Sequence, residues 1–188
     1  CTAYNGNMRV KEFELERAYA QIEGNGQENM ALCCDFLAWR LALAKEMKPH
    51  CSLERRRTEL LRHHNAAWLN IWSGISAYYY ALLGESEKIP PIFGEHRLSD
   101  INTLAPGRPM ILLIENQVYL AQGNYAKVIG RSDGQLSVCE GMHYGLVALH
   151  IRIQTAAAFE AMGKWQEAEQ MLTQAIIWCF LLWRIIAI

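Results

Sequence analysis

Several common functional signals are missing from this sequence. No Cys-x-x-Cys pair occurs among its six cysteines, which excludes a zinc ribbon and a dithiol redox motif. No Gly-x-x-x-x-Gly-Lys-Ser/Thr loop is present, so no phosphate-loop ATP site is encoded in these residues. No helix-turn-helix with a basic recognition helix can be read. No Asn-x-Ser/Thr acceptor occurs, as expected of an intracellular protein. Nor does charge of one sign accumulate. The formal net charge is −1, which argues against nucleic-acid binding through a broad positive field. The greasiest stretch, Ala175 to Ile188, is 14 residues with Arg184 its only charge. That is short of the ~20 residues a membrane-spanning helix needs. No stretch alternates with period two for long enough to make a strand.

What remains is an apolar chain of 188 residues, 52% hydrophobic. That length supplies a core without disulfides or a structural metal. The adjacent Cys33 and Cys34 sit in an apolar helical stretch, where cysteine acts as a small hydrophobe. The first residue is Cys1, not Met, and no secretory signal opens the sequence. The expectation is one domain, residues 1–188, cut from a longer cytoplasmic protein.

The hydrophobic pattern reads as helix after helix. Apolar residues recur near a 3.6 period over 8–23 and 27–47, with Gly24-Asn25-Gly26 between them and Pro49 after. Ser52 is expected to cap a helix over 53–64, and Asn65 one over 66–83. A turn-rich connection from Gly94 to Pro109 follows a short piece disturbed by Pro90-Pro91. Pro109 suits the first turn of a helix running to Gln122. The helix from Tyr125 is expected to break near Gly130 or Ser132-Asp133-Gly134. A long helix over 142–162 and a last one from Trp165 complete the chain.

Three glycines set a period. Gly84, Gly123 and Gly163 each follow a long helix, 39 and 40 residues apart. Each has an aromatic four residues earlier: Tyr80, Tyr119 and Phe159. Tyr125 and Trp165 stand two residues after the second and third. Glycine permits the left-handed turn of a helix hairpin, and the two aromatics pack across it. A small residue such as Ala168 lets the helices approach. A fixed period of helix pairs signals a solenoid. The repeat units are 66–93, 108–139 and 142–178.

In the last unit Ala156, Phe159, Gly163, Trp165, Ala168, Leu172 and Ala175 fall where a tetratricopeptide repeat has its signature residues. The second unit carries Asn116 and Val128 in place of alanines. The chain thus resembles a tetratricopeptide-like right-handed superhelix of stacked antiparallel helix pairs. The stretch from Ala105 to about Ala175 resembles the superhelical sensor segment of large LuxR-type ATP-dependent transcriptional activators. That resemblance implies an inducer-sensing fragment of a transcription regulator. Its partners would be a small-molecule inducer, other domains of the regulator and other copies of itself. ATP would bind only in a separate domain. It implies no direct contact with nucleic acid or membrane and no cofactor here.

Catalytic and metal signals are weak, and the chain is not read as an enzyme. His63 and His64 point to different faces of a helix. His143 and His150 lie two turns apart rather than one, unlike metal-ligand pairs. Glu12, Glu14, Glu16 and the Arg55-Arg56-Arg57 run read as solvated faces. Trp68, Trp72 and Tyr78-Tyr79-Tyr80 form the densest aromatic cluster, either helix packing or a platform for a planar ligand. Counting back from each glycine by analogy with the repeat puts Trp72, Tyr78, Gln117, His150 and Glu160 toward a concave groove, with His143 beside them. Glu115 and Asn116 fall at the packed interface, where buried polar groups need partners. The leading expectation is therefore a ligand-sensing domain with a closed pocket. The alternative is a helical-repeat scaffold for protein partners, with an open apolar groove.

Overall fold

The computed structural model describes residues 8–22, 28–44, 50–62, 66–97 and 107–186. Among them every regular element is a helix, as the patterning requires. The Gly24–Gly26 break, Pro49, His63, His64 and Asn65 lie outside the described residues. Chain contacts divide the protein into two compact units, Cys1–Tyr79 and Tyr80–Ile188.

The first unit contains α1 (Met8–Ile22), α2 (Glu28–Ala44), α3 (His50–Arg62) and most of α4 (Ala66–Leu82). Helix α3 begins before Ser52, so Ser52 is not its N-cap. Leu32, Trp39, Leu53, Leu60 and Tyr79 are almost wholly buried. Tyr79 meets the edge of Trp39 at 5.5 Å between centroids and that of Phe36 at 5.8 Å. Aromatic side chains bury a large apolar body but keep a polar tip that needs a partner. Tyr79 donates its hydroxyl to the Phe36 carbonyl at 2.7 Å, and Trp72 donates Nε1 to the Leu53 carbonyl at 3.1 Å. These two bonds tie α4 to α2 and α3. Asp35, buried in α2, accepts from the Tyr19 hydroxyl at 2.6 Å and from the Arg56 guanidinium, linking α1, α2 and α3. Cys34 is buried beside it, as a small hydrophobe would be.

Among its described residues the second unit holds a 3-10 turn at Ser86–Lys88 and α5 (Pro91–Gly94), α6 (Arg108–Ala121), α7 (Tyr125–Gly141), α8 (Gly145–Ala161) and α9 (Trp165–Ile186). Pro109 sits buried in the first turn of α6, where its missing N–H costs nothing. Helix α6 packs on α7, α8 packs on both, and α9 packs on α8. Helix α8 is therefore the central element. Val147, Ala148, Leu149, Ile151 and Ala158 are buried on several of its sides.

Helix α7 runs unbroken for 17 residues through Gly130, Ser132, Asp133 and Gly134, where a break is expected from sequence. Its ladder is carried by packing: Val128, Ser132, Gln135, Leu136 and Cys139 are all buried. Tertiary burial outweighs the ~1 kcal/mol that each glycine costs a helix. The turn after it is also displaced from expectation. Helix α8 starts at Gly145, and His143 is the left-handed residue of that turn.

Among the described residues, five helix ends share one geometry. Gly84, Gly123 and Gly163 have φ of +72°, +72° and +73°, and His96 and His143 have +56° and +59°. At each, the left-handed residue donates its N–H to the carbonyl three residues back. The next residue donates to the carbonyl five back, as Asn124 does to Tyr119 at 2.8 Å and Tyr144 to Cys139 at 2.8 Å. This is the Schellman closure, which satisfies carbonyls otherwise orphaned at a helix end. The glycine period thus marks real turns. Two further turns of the same kind carry histidine and escape a glycine count.

Candidate functional site

The six residues expected to line a ligand groove have different surroundings. Trp72 and Tyr78 are buried in the packing of the first unit. The Trp72 indole is hydrogen-bonded to Leu53, and Tyr78 packs edge-on to Tyr79 at 5.6 Å. Neither presents an open wall, because each is used to seat α4. Gln117 accepts a hydrogen bond from Gln154 at 3.0 Å. The His150 ring nitrogen Nδ1 lies 2.8 Å from the Leu146 carbonyl of its own helix. His143 is exposed in the α7–α8 turn, and Glu160 is exposed at the other end of α8. At 1.5 Å per helical residue, His143 and Glu160 are about 25 Å apart, too far to share one small-molecule pocket.

Two polar groups reach the packed interface as the sequence analysis expects, and both brace helices. Asn116 and Gln135 exchange hydrogen bonds between α6 and α7. Glu115 is buried and forms an ion pair with Arg131 of α7. His96 joins this group from beyond α5. Its ring stacks on Tyr119 at 4.0 Å between centroids, Nε2 meets Gln122 Oε1 at 2.8 Å, and Nδ1 faces Glu115 Oε1 at 3.9 Å. Arg131 lies over the Tyr119 ring and donates to its hydroxyl at 3.3 Å. Burial, and then the Glu115 charge, push the Tyr119 hydroxyl above the usual tyrosine range. The hydrogen bond to Glu115 raises Arg131. The cluster has a guanidinium, an imidazole, a carboxylate and a phenol, and its groups face one another between α6, α7 and the turn after α5. Among the described residues no three His, Cys, Asp or Glu side chains gather as a metal site would require.

An opening among the described residues lies between α8 and α9. It is an open groove of about 470 Å³, lined by Ile153, Ala156, Ala157, Glu160, Trp165, Ala168, Glu169 and Leu172. Trp165 is 65% exposed, and Ile153 and Leu172 are each 44% exposed. Their exposure gives the groove an apolar lining. Two carboxylates, Glu160 and Glu169, stand on its walls. Of the six expected groove residues only Glu160 lies here. Ile153, Ala157 and Glu169 are missed by counting toward a concave face. Carrying the α6–α7 packing forward by one repeat would have found them.

No helix among the described residues is long and apolar enough to cross a membrane. Comparison with protein-family models, with curated proteins and with solved structures finds no match to this chain.

Proposed function

We propose that this chain is a helical-repeat interaction domain that binds a helical segment of a protein partner through the α8–α9 groove. The observation that carries the reading is the groove itself. A small-molecule sensor needs a closed pocket with converging polar groups. This groove is open, its floor is alanine, and its walls are apolar except for Glu160 and Glu169. An open, largely apolar groove between two helices suits an amphipathic helix, which buries a stripe of side chains at i, i+3, i+4 and i+7.

The second reading is an inducer-sensing segment of a cytoplasmic LuxR-type regulator. It draws on the resemblance of Ala105 to Ala175 and on the shared turn geometry of Gly123 and Gly163. In that reading the effector acts only through its differential affinity for two arrangements of the helices.

A thermal-shift comparison separates the two. The chain is heated with a panel of amphipathic helical peptides, and in parallel with sugars and small metabolites. A melting point raised by peptides, and no longer raised in Leu172→Asp, supports the interaction domain. A rise with a small metabolite and none with any peptide would sink it in favour of the sensor.

A further inference from the structure

We infer that His96 is a proton-operated latch: on mild acidification its ring nitrogen Nδ1 takes a proton, bonds to Glu115 and draws the segment 89–97 more tightly onto α6. The device lies away from the α8–α9 groove and does not depend on the interaction reading.

The segment is anchored at both ends of α5. Ile89 and Phe93 are buried ahead of the turn. His96 then adopts φ +56°, a conformation that costs a residue with a side chain more than it costs glycine. The ring repays this by stacking on Tyr119 at 4.0 Å. Gln122 of α6 holds the segment twice. Its Nε2 donates to the Gly94 carbonyl at 3.0 Å, and its Oε1 meets His96 Nε2 at 2.8 Å.

These two bonds fix the tautomer. The Gly94 carbonyl can only accept, so the Gln122 amide nitrogen must face it. That leaves Oε1, an acceptor, for His96 Nε2, and this ring nitrogen must carry the hydrogen. In the neutral ring Nδ1 is then a bare acceptor. It is buried without a hydrogen-bond partner. The group it faces is Glu115 Oε1 at 3.9 Å, a second acceptor. Two acceptors gain nothing from each other. A proton on Nδ1 makes one of them a donor and gives the pair opposite charges. Such charge-assisted bonds are short, about 1 Å less than the present gap, so forming one moves the segment toward α6.

The surrounding charges, among the described residues, come from three places. Helix α6 supplies Glu115 and Tyr119, whose hydroxyl is held above its usual range and stays neutral. Helix α7 supplies Arg131 and Lys127, both over the Tyr119 ring. On the segment itself Glu95 and Arg97 form an exposed pair. Arg131 and Lys127 oppose a further positive charge. Arg131 is engaged with the other carboxylate oxygen, Oε2, and Lys127 is exposed and screened by water and salt. Glu115 is 5% exposed and directly faces the bare nitrogen, so it is screened least.

The test is amide hydrogen exchange on the full chain by NMR, corrected for the intrinsic effect of pH. The Glu95, His96 and Arg97 amides, bonded to the Pro91, Phe93 and Ile92 carbonyls, report closure of the segment. Acidification from pH ~7.5 to ~5.5 spans the window in which an ordinary histidine changes charge. Their protection should rise about fivefold across it, the low end for two coupled events. His96→Asn tolerates the left-handed turn without titrating, and Glu115→Gln keeps the shape without the charge. Both should lose the rise, with unchanged circular dichroism. Imidazole nitrogen shifts at pH ~8, above the histidine window, should place the hydrogen on Nε2. Level or falling protection in the unaltered chain would overturn the inference. So would a rise that survives in either variant, because the proton would then act elsewhere. A neutral ring with its hydrogen on Nδ1 would overturn it too. The two measurements on the unaltered chain decide even where a variant fails to fold.

Discussion

Asn116 and Gln135 hold each other by two reciprocal amide hydrogen bonds, 2.7 and 2.9 Å long, in the buried seam between α6 and α7. Forty residues later, on α8 and α9, stand Ala156 and Ala175, both buried. The hairpin can therefore be closed by an amide pair or by two small apolar residues. A mixture of the two leaves an amide unpaired. Asn116→Ala alone should cost about 1–3 kcal/mol, the penalty for a stranded buried polar group. Asn116→Ala with Gln135→Ala should cost clearly less than the sum of the single changes. Urea denaturation of the three variants checks this. Additive losses would show that the two amides do not act as a unit.

Arg131 is the second brace of that seam. Its partner Glu115 has a 5% exposed side chain, while Arg131 itself is partly open to solvent. Arg131→Met keeps the stem but leaves the carboxylate without its main cation. A loss of about 3 kcal/mol is expected, the low end for breaking a buried pair. Arg57→Met removes a partner in an exposed pair, Arg57–Glu54 at 3.7 Å, and should cost under about 0.5 kcal/mol. Equal losses in the two variants would contradict the assigned burial.

His143 pays for a backbone that glycine adopts without strain. Its φ is +59°, and its side chain is exposed. His143→Gly should stabilise the chain by about 0.5–1 kcal/mol. The relief of left-handed strain outweighs the added freedom of the unfolded chain. A melting point about 2 °C higher is the readout. His96→Gly should not follow suit, since it discards the Tyr119 stack and the Gln122 hydrogen bond.

Stability should fall on the alkaline side. Burial, and then the hydrogen bond to Asp35, hold the Tyr19 hydroxyl above the ordinary tyrosine range, and burial does the same for Tyr79. Above pH ~10 an unfolded chain releases these protons while the folded one keeps them. The unfolded state then binds fewer protons, so the free energy of unfolding decreases as pH rises. The stabilisation is complete below pH ~10 and is lost toward the raised folded-state values. Denaturation midpoints should be level from pH 7 to about 9 and decline above 10. Tyr19→Phe should make that decline shallower, and an unchanged slope would argue against the assignment.

The sequence made the helical elements and the Gly84, Gly123 and Gly163 turns legible, because helical periodicity and left-handed glycine are local signals. It also placed Glu115 and Asn116 in the packed seam. It did not reveal the continuity of α7, because Gly130 and Gly134 lower propensity locally while Val128, Gln135 and Cys139 restore the helix through burial. Nor did it show that His96 and His143 stand in the turn position that glycine holds elsewhere. The aromatic cluster of Trp68, Trp72 and Tyr78–Tyr80 favoured packing from sequence but left ligand contact open. Only the bonds to Leu53 and Phe36 decide for packing. The groove was hidden for a different reason. Its residues are read correctly only when the seat of α8 on α6–α7 is known, and that is a tertiary fact.

Glu160 and Glu169 have a consequence for how copies of this chain treat one another. The apolar α8–α9 groove is complementary to apolar helix faces, those of another copy included. Such head-to-tail contacts do not close into rings by necessity and can grow into fibres. Helix α8 carries Glu160 close to Ala158, the residue by which it packs on Tyr119 and Val128. A copy approaching in that register would bring a carboxylate to a rim that already holds two. Glu160 and Glu169 thus put like charges in the way of self-association through this groove, where Leu120 and Ile129 stand at the corresponding places of α6–α7.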